Sequence, residues 1–322
     1  MHELLPQTTD TGIVVGGRNY SYSDIFETLQ NSRPGGKLET MTRWDRYMPR
    51  DCSPKKWIDL LGDDANILYH MRDTDKIVVD FTNAENANGM DNVKSALTPQ
   101  NVSMLRLTAM FHDIGEVGGD KMFDAKTSQI ESSEGTFYDR MAQNIARFRT
   151  FGVAGSREFL TFLERAKSVA SDKNDVLYEP FNVVERVGYF RTGMNMFSLS
   201  QTGEDKQGNI VPDQWRDNFL WGTQNVLLNQ IDALLKYGKK YSYVANILKD
   251  QAGEISKAFE VTSDHMDMID IKYLAMPEWG KLDVEAKQDK LRTYKSKFES
   301  AKRAWSEYMQ SAVQQTGVVF TS

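Results

Sequence analysis

Apolar positions along this chain recur mostly at helical spacing. Ile67, Leu68, Met71, Ile77, Val78 and Phe81 form one stripe, and they predict a helix over 64–83 that begins at Asp63 or Asp64. The run 83–90, Asn-Ala-Glu-Asn-Ala-Asn-Gly-Met, is polar and reads as a loop. Thr98-Pro99 opens the next helix, with proline near its first position. The apolar segment Met104–Phe111 continues it. Helices are expected over 135–170, from Phe137, Met141, Ile145 and Phe148 and from Phe159, Phe162 and Leu163, and over 178–200. Ser200–Pro212 is a polar loop. Trp215–Tyr237 and Tyr241–Phe259 read as amphipathic helices, and Ala286–Gln314 as a long charged one. Near the N-terminus the periodicity changes. Ile13-Val14-Val15 followed by Gly16-Gly17 predicts a short hairpin. Ser21 or Ser23 can cap a helix carrying Ile25, Phe26 and Leu29, which Asn31–Gly36 then breaks. There is no internal repeat and no sustained heptad, so the expected fold is mostly α with a short N-terminal β-hairpin.

Composition narrows the function classes. The 322 residues are 40% hydrophobic and 26% charged, which suits a soluble globular chain with a sizeable core. No apolar run approaches the ~18 residues of a membrane span, and Met1–Gln7 lacks the basic and apolar regions of a signal peptide. One cysteine, Cys52, excludes an intrachain disulfide and fits a reducing compartment, so a cytoplasmic location is expected. Nothing near Cys52 marks a base, so no thiol chemistry is assigned to it. The net charge of −6 and pI near 5.4 do not suit a nucleic-acid polymer as partner. A small phosphorylated substrate remains compatible, because a local cation and a few basic side chains overcome the global sign.

The candidate chemistry gathers at Phe111-His112-Asp113-Ile114-Gly115-Glu116-Val117-Gly118-Gly119-Asp120. An imidazole stands beside a carboxylate at the end of an apolar helix. A second carboxylate follows three residues on, and a third after Gly118-Gly119. Adjacent side chains cannot both lie on the core stripe of a helix, but both can reach one ion where the helix ends. Any further imidazole ligand must come from His2, His70 or His265, the only other histidines. His265, between Asp264 and Asp267, is assigned to a capping or surface segment.

The run Phe111–Asp120 resembles the signature of HD-domain metal-dependent phosphohydrolases, and within them the 5′-deoxynucleotidase subgroup. The clear likeness covers roughly 100–125, with weaker echoes over 40–195. It implies an HD helical core over 40–200, an N-terminal extension over 1–39 and a helical extension over 201–322. It implies a divalent ion (Mn, Co, Fe, Zn or Mg) held by His70, His112, Asp113 and a late-helix carboxylate. Glu185, inside the apolar helix of Val183–Arg191, stands where that last ligand is expected. The family has Asp there, so Asp172 or Asp175 is the alternative ligand, and an ion pair to Arg186 or Arg191 the alternative role for Glu185. Tyr69-His70-Met71 also departs from the family's Glu-His-Ser. By the same likeness Glu116 and Asp120 share the acid–base work, and Arg43-Trp44 meets the substrate's phosphate and sugar. Lys121–Ser133 is a flap or a solvent loop.

The expected activity is hydrolysis of a nucleotide, first a deoxynucleoside 5′-monophosphate. The alternatives are a deoxynucleoside triphosphate triphosphohydrolase or a non-catalytic helical scaffold. An HD oxygenase would need more histidines than the chain has. The C-terminal helices are candidates for a lid or a homo-oligomer surface.

Overall fold

The computed structural model describes residues 7–9, 12–15, 18–21, 56, 59–60, 67–112, 165–166, 168–170, 172–205, 208–266 and 282–316. The fold is mostly α. The described helices are α1 Ile67–Asn88, α2 Asp91–Ala96, α3 Pro99–Phe111, α4 Tyr178–Thr202, α5 Asp213–Val226, α6 Leu228–Tyr237, α7 Ser242–Asp250, α8 Ala252–Asp264 and α9 Val284–Thr316. Ahead of them lies a small antiparallel sheet, β1 Gln7–Thr9, β2 Gly12–Val15 and β3 Arg18–Ser21, in that order. The β-branched run forms the central strand: Val14 pairs with Gln7 on one side, and Val15 with Arg18 on the other. Among the described residues no helix is long and apolar enough to cross a membrane.

By its internal contacts the chain divides into two compact units, Met1–Arg43 with Gly62–Glu185, and Trp44–Leu61 with Arg186–Ser322. The boundaries implied by the HD likeness cut the chain at other places.

In the first unit α1 and α3 pack along their lengths, and β1 runs beside α3. The α1 stripe is not purely apolar. Met71, Ile77, Val78 and Phe81 are buried, but so are His70, Thr74, Asp75, Thr82 and Glu85. Helix α1 continues to Asn88, through the segment expected to be a loop. Ala84 and Glu85 are good helix formers. Glu85 keeps the stripe's spacing after Phe81 and is fully buried, whereas Asn83, Asn86, Ala87 and Asn88 are exposed. The polarity marks the solvent face of a helix, not its end. Helix α3 starts as its sequence suggests. Pro99 fills the first turn, and the Thr98 side chain accepts from the Asn101 N–H at 3.3 Å. Such a cap contributes about 1 kcal/mol.

In the second unit two expected long helices are each broken. Trp215–Tyr237 becomes α5 and α6, separated at Leu227. Tyr241–Phe259 becomes α7 and α8, separated at Gln251. Leu227 is fully buried and meets Gly193 of α4, where an added Cβ would lie 2.4 Å from the Leu227 Cβ and 2.6 Å from its backbone N. Gly193 therefore permits a close helix approach. Helix α6 packs on α5, α7 and α9, and α8 on α5, α7 and α9. The long α9 buries Tyr294, Phe298, Ala301 and Trp305 at helical spacing. Its Lys302 Nζ and Trp305 Nε1 donate to Ser263 and Ser256 of α8 at 2.7 and 2.9 Å.

Candidate metal centre

The candidate centre lies in the first unit and starts from the packing of α1 on α3. His70 sits near the start of α1, on the side facing α3, and is 4% exposed. His112 is the residue that ends α3 and is 8% exposed. The two imidazoles meet edge to face, with ring centroids 5.3 Å apart and planes at 71°. Two nitrogens that share one ion lie within roughly 4.2 Å of each other, twice the usual metal–nitrogen bond. Rings at this separation can present nitrogens at that spacing. Phe181 of α4 closes one side, its ring 5.6 Å from that of His112.

The neighbours fix which ring nitrogens keep a lone pair. His112 Nδ1 lies 2.7 Å from the Ala109 carbonyl oxygen. A carbonyl only accepts, so Nδ1 carries the proton and donates it. The neutral ring then keeps its lone pair on Nε2. A backbone carbonyl behind a histidine is the usual outer support of a ligating imidazole. For His70 the support is Thr74, one turn along α1. The Thr74 hydroxyl donates to the His70 carbonyl at 2.7 Å, and its oxygen lies 3.4 Å from His70 Nε2. With its proton committed, Thr74 Oγ1 can only accept from that nitrogen. This favours a lone pair on His70 Nδ1.

A little further along the same helix pair, Asp75 and Arg106 form a two-pronged ion pair. Arg106 Nε donates to Oδ1 at 2.8 Å and its terminal nitrogen to Oδ2 at 3.0 Å. Both side chains are largely shielded, at 12% and 16% exposure. His70 faces His112, and five residues later Asp75 meets a residue six earlier on α3. The helices are thus antiparallel.

Glu185, on α4, is half-buried. It lies four residues after Phe181, so both project from one face of the helix. Among the described residues it makes no hydrogen bond or ion pair. The flanking arginines turn elsewhere: Arg186 donates to Gln230 Oε1 at 2.6 Å, and Arg191 to the Tyr243 hydroxyl at 3.0 Å. The two alternative carboxylates are engaged locally. Asp175 accepts from the Leu177 N–H at 2.9 Å and from Ser168 at 2.7 Å, and is ion-paired with Arg165. Asp172 is exposed and accepts from the Asn174 N–H at 2.9 Å. They hold the turn that leads into α4. His265 is at the exposed end of α8, where its Nδ1 donates to the Val261 carbonyl at 2.8 Å.

Asp113, Glu116, Asp120, Arg43 and Trp44 lie outside the described residues, as does the expected flap 121–133. Among the described residues, no three His, Cys, Asp or Glu side chains gather closely enough to hold an ion. What is assembled is a buried pair of imidazoles. Phe181, Thr74, the Ala109 carbonyl and the Asp75–Arg106 pair were not singled out from the sequence. Only Thr74 carried a local signal, as a polar residue one helical turn after His70.

Comparison with protein-family models, with curated proteins and with solved structures finds no match for this chain.

Proposed function

We propose that this protein is a metal-dependent phosphohydrolase of the HD type that acts on a nucleotide, with a deoxynucleoside 5′-monophosphate as its first substrate. One observation carries the reading. The two histidines taken from distant parts of the sequence, His70 and His112, meet in a buried site with ring centroids 5.3 Å apart. Two shielded imidazoles, one with its outward nitrogen proton tied to a carbonyl, make a nitrogen donor set suited to a borderline divalent ion. In this reading Asp113 and Glu185 complete the ligand set. Glu185, half-buried and on one helix face with Phe181, is the fourth member by the sequence likeness alone, because it does not gather with the two imidazoles closely enough to share an ion.

When bound, such an ion supplies a Lewis acid at a phosphoryl oxygen and a water of lowered pKa. The chain's own groups do the rest. Glu116 and Asp120 divide the work of orienting that water and protonating the leaving oxygen. Arg43 grips the phosphate through its planar fork, and Trp44 lies against the sugar. Phe181 shields the His112 edge from water. The substrate class comes from the sequence likeness, not from geometry.

The test uses purified full-length protein, stripped of metal and resupplied with Mn²⁺ or Co²⁺. It is assayed against deoxy- and ribonucleoside mono- and triphosphates. Release of inorganic phosphate from deoxynucleoside monophosphates is the expected result. Release of triphosphate moves the assignment to a triphosphohydrolase. No release from any substrate removes the enzyme reading, and wild-type protein without bound metal points to a scaffold.

A further inference from the structure

We infer that Asp75 and Arg106 are positioning residues: their ion pair sets the register of α1 against α3 and so holds His70 beside His112. The inference takes its functional meaning from the metal-centre reading above, but its geometry stands without it.

The argument starts from what a shielded ion pair does well. Its net contribution to stability is small, because desolvating both charges offsets most of their attraction. Its attested use is to set register, because a slipped pairing leaves two shielded charges apart. Arg106 and Asp75 meet through two short bonds, 2.8 and 3.0 Å, and this fork fixes both distance and direction. Around them many buried side chains are without direction, Met71, Ile77 and Val78 on one helix and Leu105, Leu107 and Ala109 on the other, and the buried Thr74 and Thr108 spend their hydroxyl protons on carbonyls of their own helices. Apolar surfaces of this kind tolerate sliding better than a fork does.

The metal-centre reading tolerates none. A slip of one helical turn moves one helix by about 5.4 Å along its axis. That is as large as the whole 5.3 Å separation of the rings. Two nitrogens that must lie within roughly 4.2 Å of each other would then no longer share an ion. The ion pair lies five residues from His70 on α1 and six from His112 on α3, close enough for a register clamp to act on the rings.

Two variants test this in the full-length protein. Asp75→Leu/Arg106→Met replaces the pair with apolar groups of similar bulk. Asp75→Arg/Arg106→Asp restores a pair with exchanged sign. The first readout is the nuclear Overhauser contact between the His70 and His112 ring protons, in deuterated protein with labelled histidine. Only four histidines are present, so assignment by single substitution is direct. The second readout is Co²⁺ affinity by titration calorimetry. The third is the thermal midpoint. In the apolar variant the midpoint should hold, the ring contact should vanish, and Co²⁺ affinity should fall by about 10-fold to 100-fold, as for loss of an outer support. The exchanged pair should recover both. A ring contact that persists unchanged in the apolar variant overturns the inference, as does a wild-type protein without it. Wild-type protein that shows the ring contact but binds no Co²⁺ instead defeats the metal-centre reading, and leaves the register clamp to be judged by the contact alone.

Discussion

Under the proposed function His112 would perform two separable tasks, and a single substitution can divide them. Its Nδ1–H closes the end of α3 on the Ala109 carbonyl, and its Nε2 faces away from that bond. Asparagine carries an amide N–H near the position of Nδ1 and nothing at Nε2. His112→Asn should therefore keep the helix end, with the thermal midpoint close to wild type. Co²⁺ affinity should drop by more than the roughly 10-fold that even an outer-support change costs. His112→Ala removes both groups, so it should also lower stability, and with it the midpoint, by about 1 kcal/mol of free energy for the lost bond plus the cost of the cavity left behind. Calorimetric titration beside thermal unfolding of both variants checks this. Equal Co²⁺ binding by His112→Asn and wild type would show that Nε2 ligates nothing. Asp175 is a residue with the opposite balance. The family likeness made it an alternative ligand, yet the Leu177 N–H, Ser168 and Arg165 take up its carboxylate.

Among the elements, spacing was legible and interruption was not. The helices α1, α3, α4 and α9 were legible for different reasons: α1 from its repeating stripe, α3 and α4 from apolar residues on most sides, and α9 from a long charged run. The β2–β3 pairing was readable because a β-branched run meets two glycines. The polar segment after Phe81 was misread because exposed asparagines mark a solvent face as readily as a chain break. The breaks at Leu227 and Gln251 left no local signal: neither is glycine or proline, and Leu227 is as buried as any core residue. The break at Leu227 comes where Gly193 of α4 touches it. That contact and the one at Gly222 predict different costs. A methyl at Gly193 meets backbone atoms of Leu227 at 2.6 Å, which a side-chain rotation cannot relieve. Gly193→Ala should destabilise by about 1–3 kcal/mol through overpacking. A methyl at Gly222 meets the Met196 sulfur at 2.3 Å, and that thioether can turn aside. Gly222→Ala should be close to neutral, because alanine recovers about 1 kcal/mol of helix propensity. Urea midpoints measure both, and a Gly193→Ala midpoint at or above that of Gly222→Ala contradicts the account. The Asp75–Arg106 pairing was illegible for a further reason. It depends on which way α3 runs along α1, and residues 31 positions apart carry no local mark of that.

At the scale of the whole molecule, the proposed centre makes stability depend on metal. An ion that binds only the folded chain stabilises it by an amount set by its concentration over its dissociation constant, about 2.7 kcal/mol at a 100-fold ratio. Affinity of the unfolded chain for the ion would erode that gain, but four histidines and one cysteine spread over 322 residues offer the unfolded state little. The linkage should thus appear at nearly full size. His70, His112 and Glu185 all belong to the unit formed by Met1–Arg43 and Gly62–Glu185, so the transition that includes this unit should carry the shift. For a folding unit of 150–250 residues, each kcal/mol moves the midpoint by about 2–4 °C, so 2.7 kcal/mol corresponds to roughly 5–10 °C. Scanning calorimetry of the full-length protein in excess Mn²⁺ or Co²⁺, and again after chelation, should resolve that difference. His112→Asn should show the chelated midpoint under both conditions. The comparison also separates a specific centre from loose binding on the acidic surface, because a net charge of −6 attracts divalent ions to wild type and variant alike. A metal-induced shift of the same size in His112→Asn would place the ion on that surface and remove the buried imidazole pair from the chemistry.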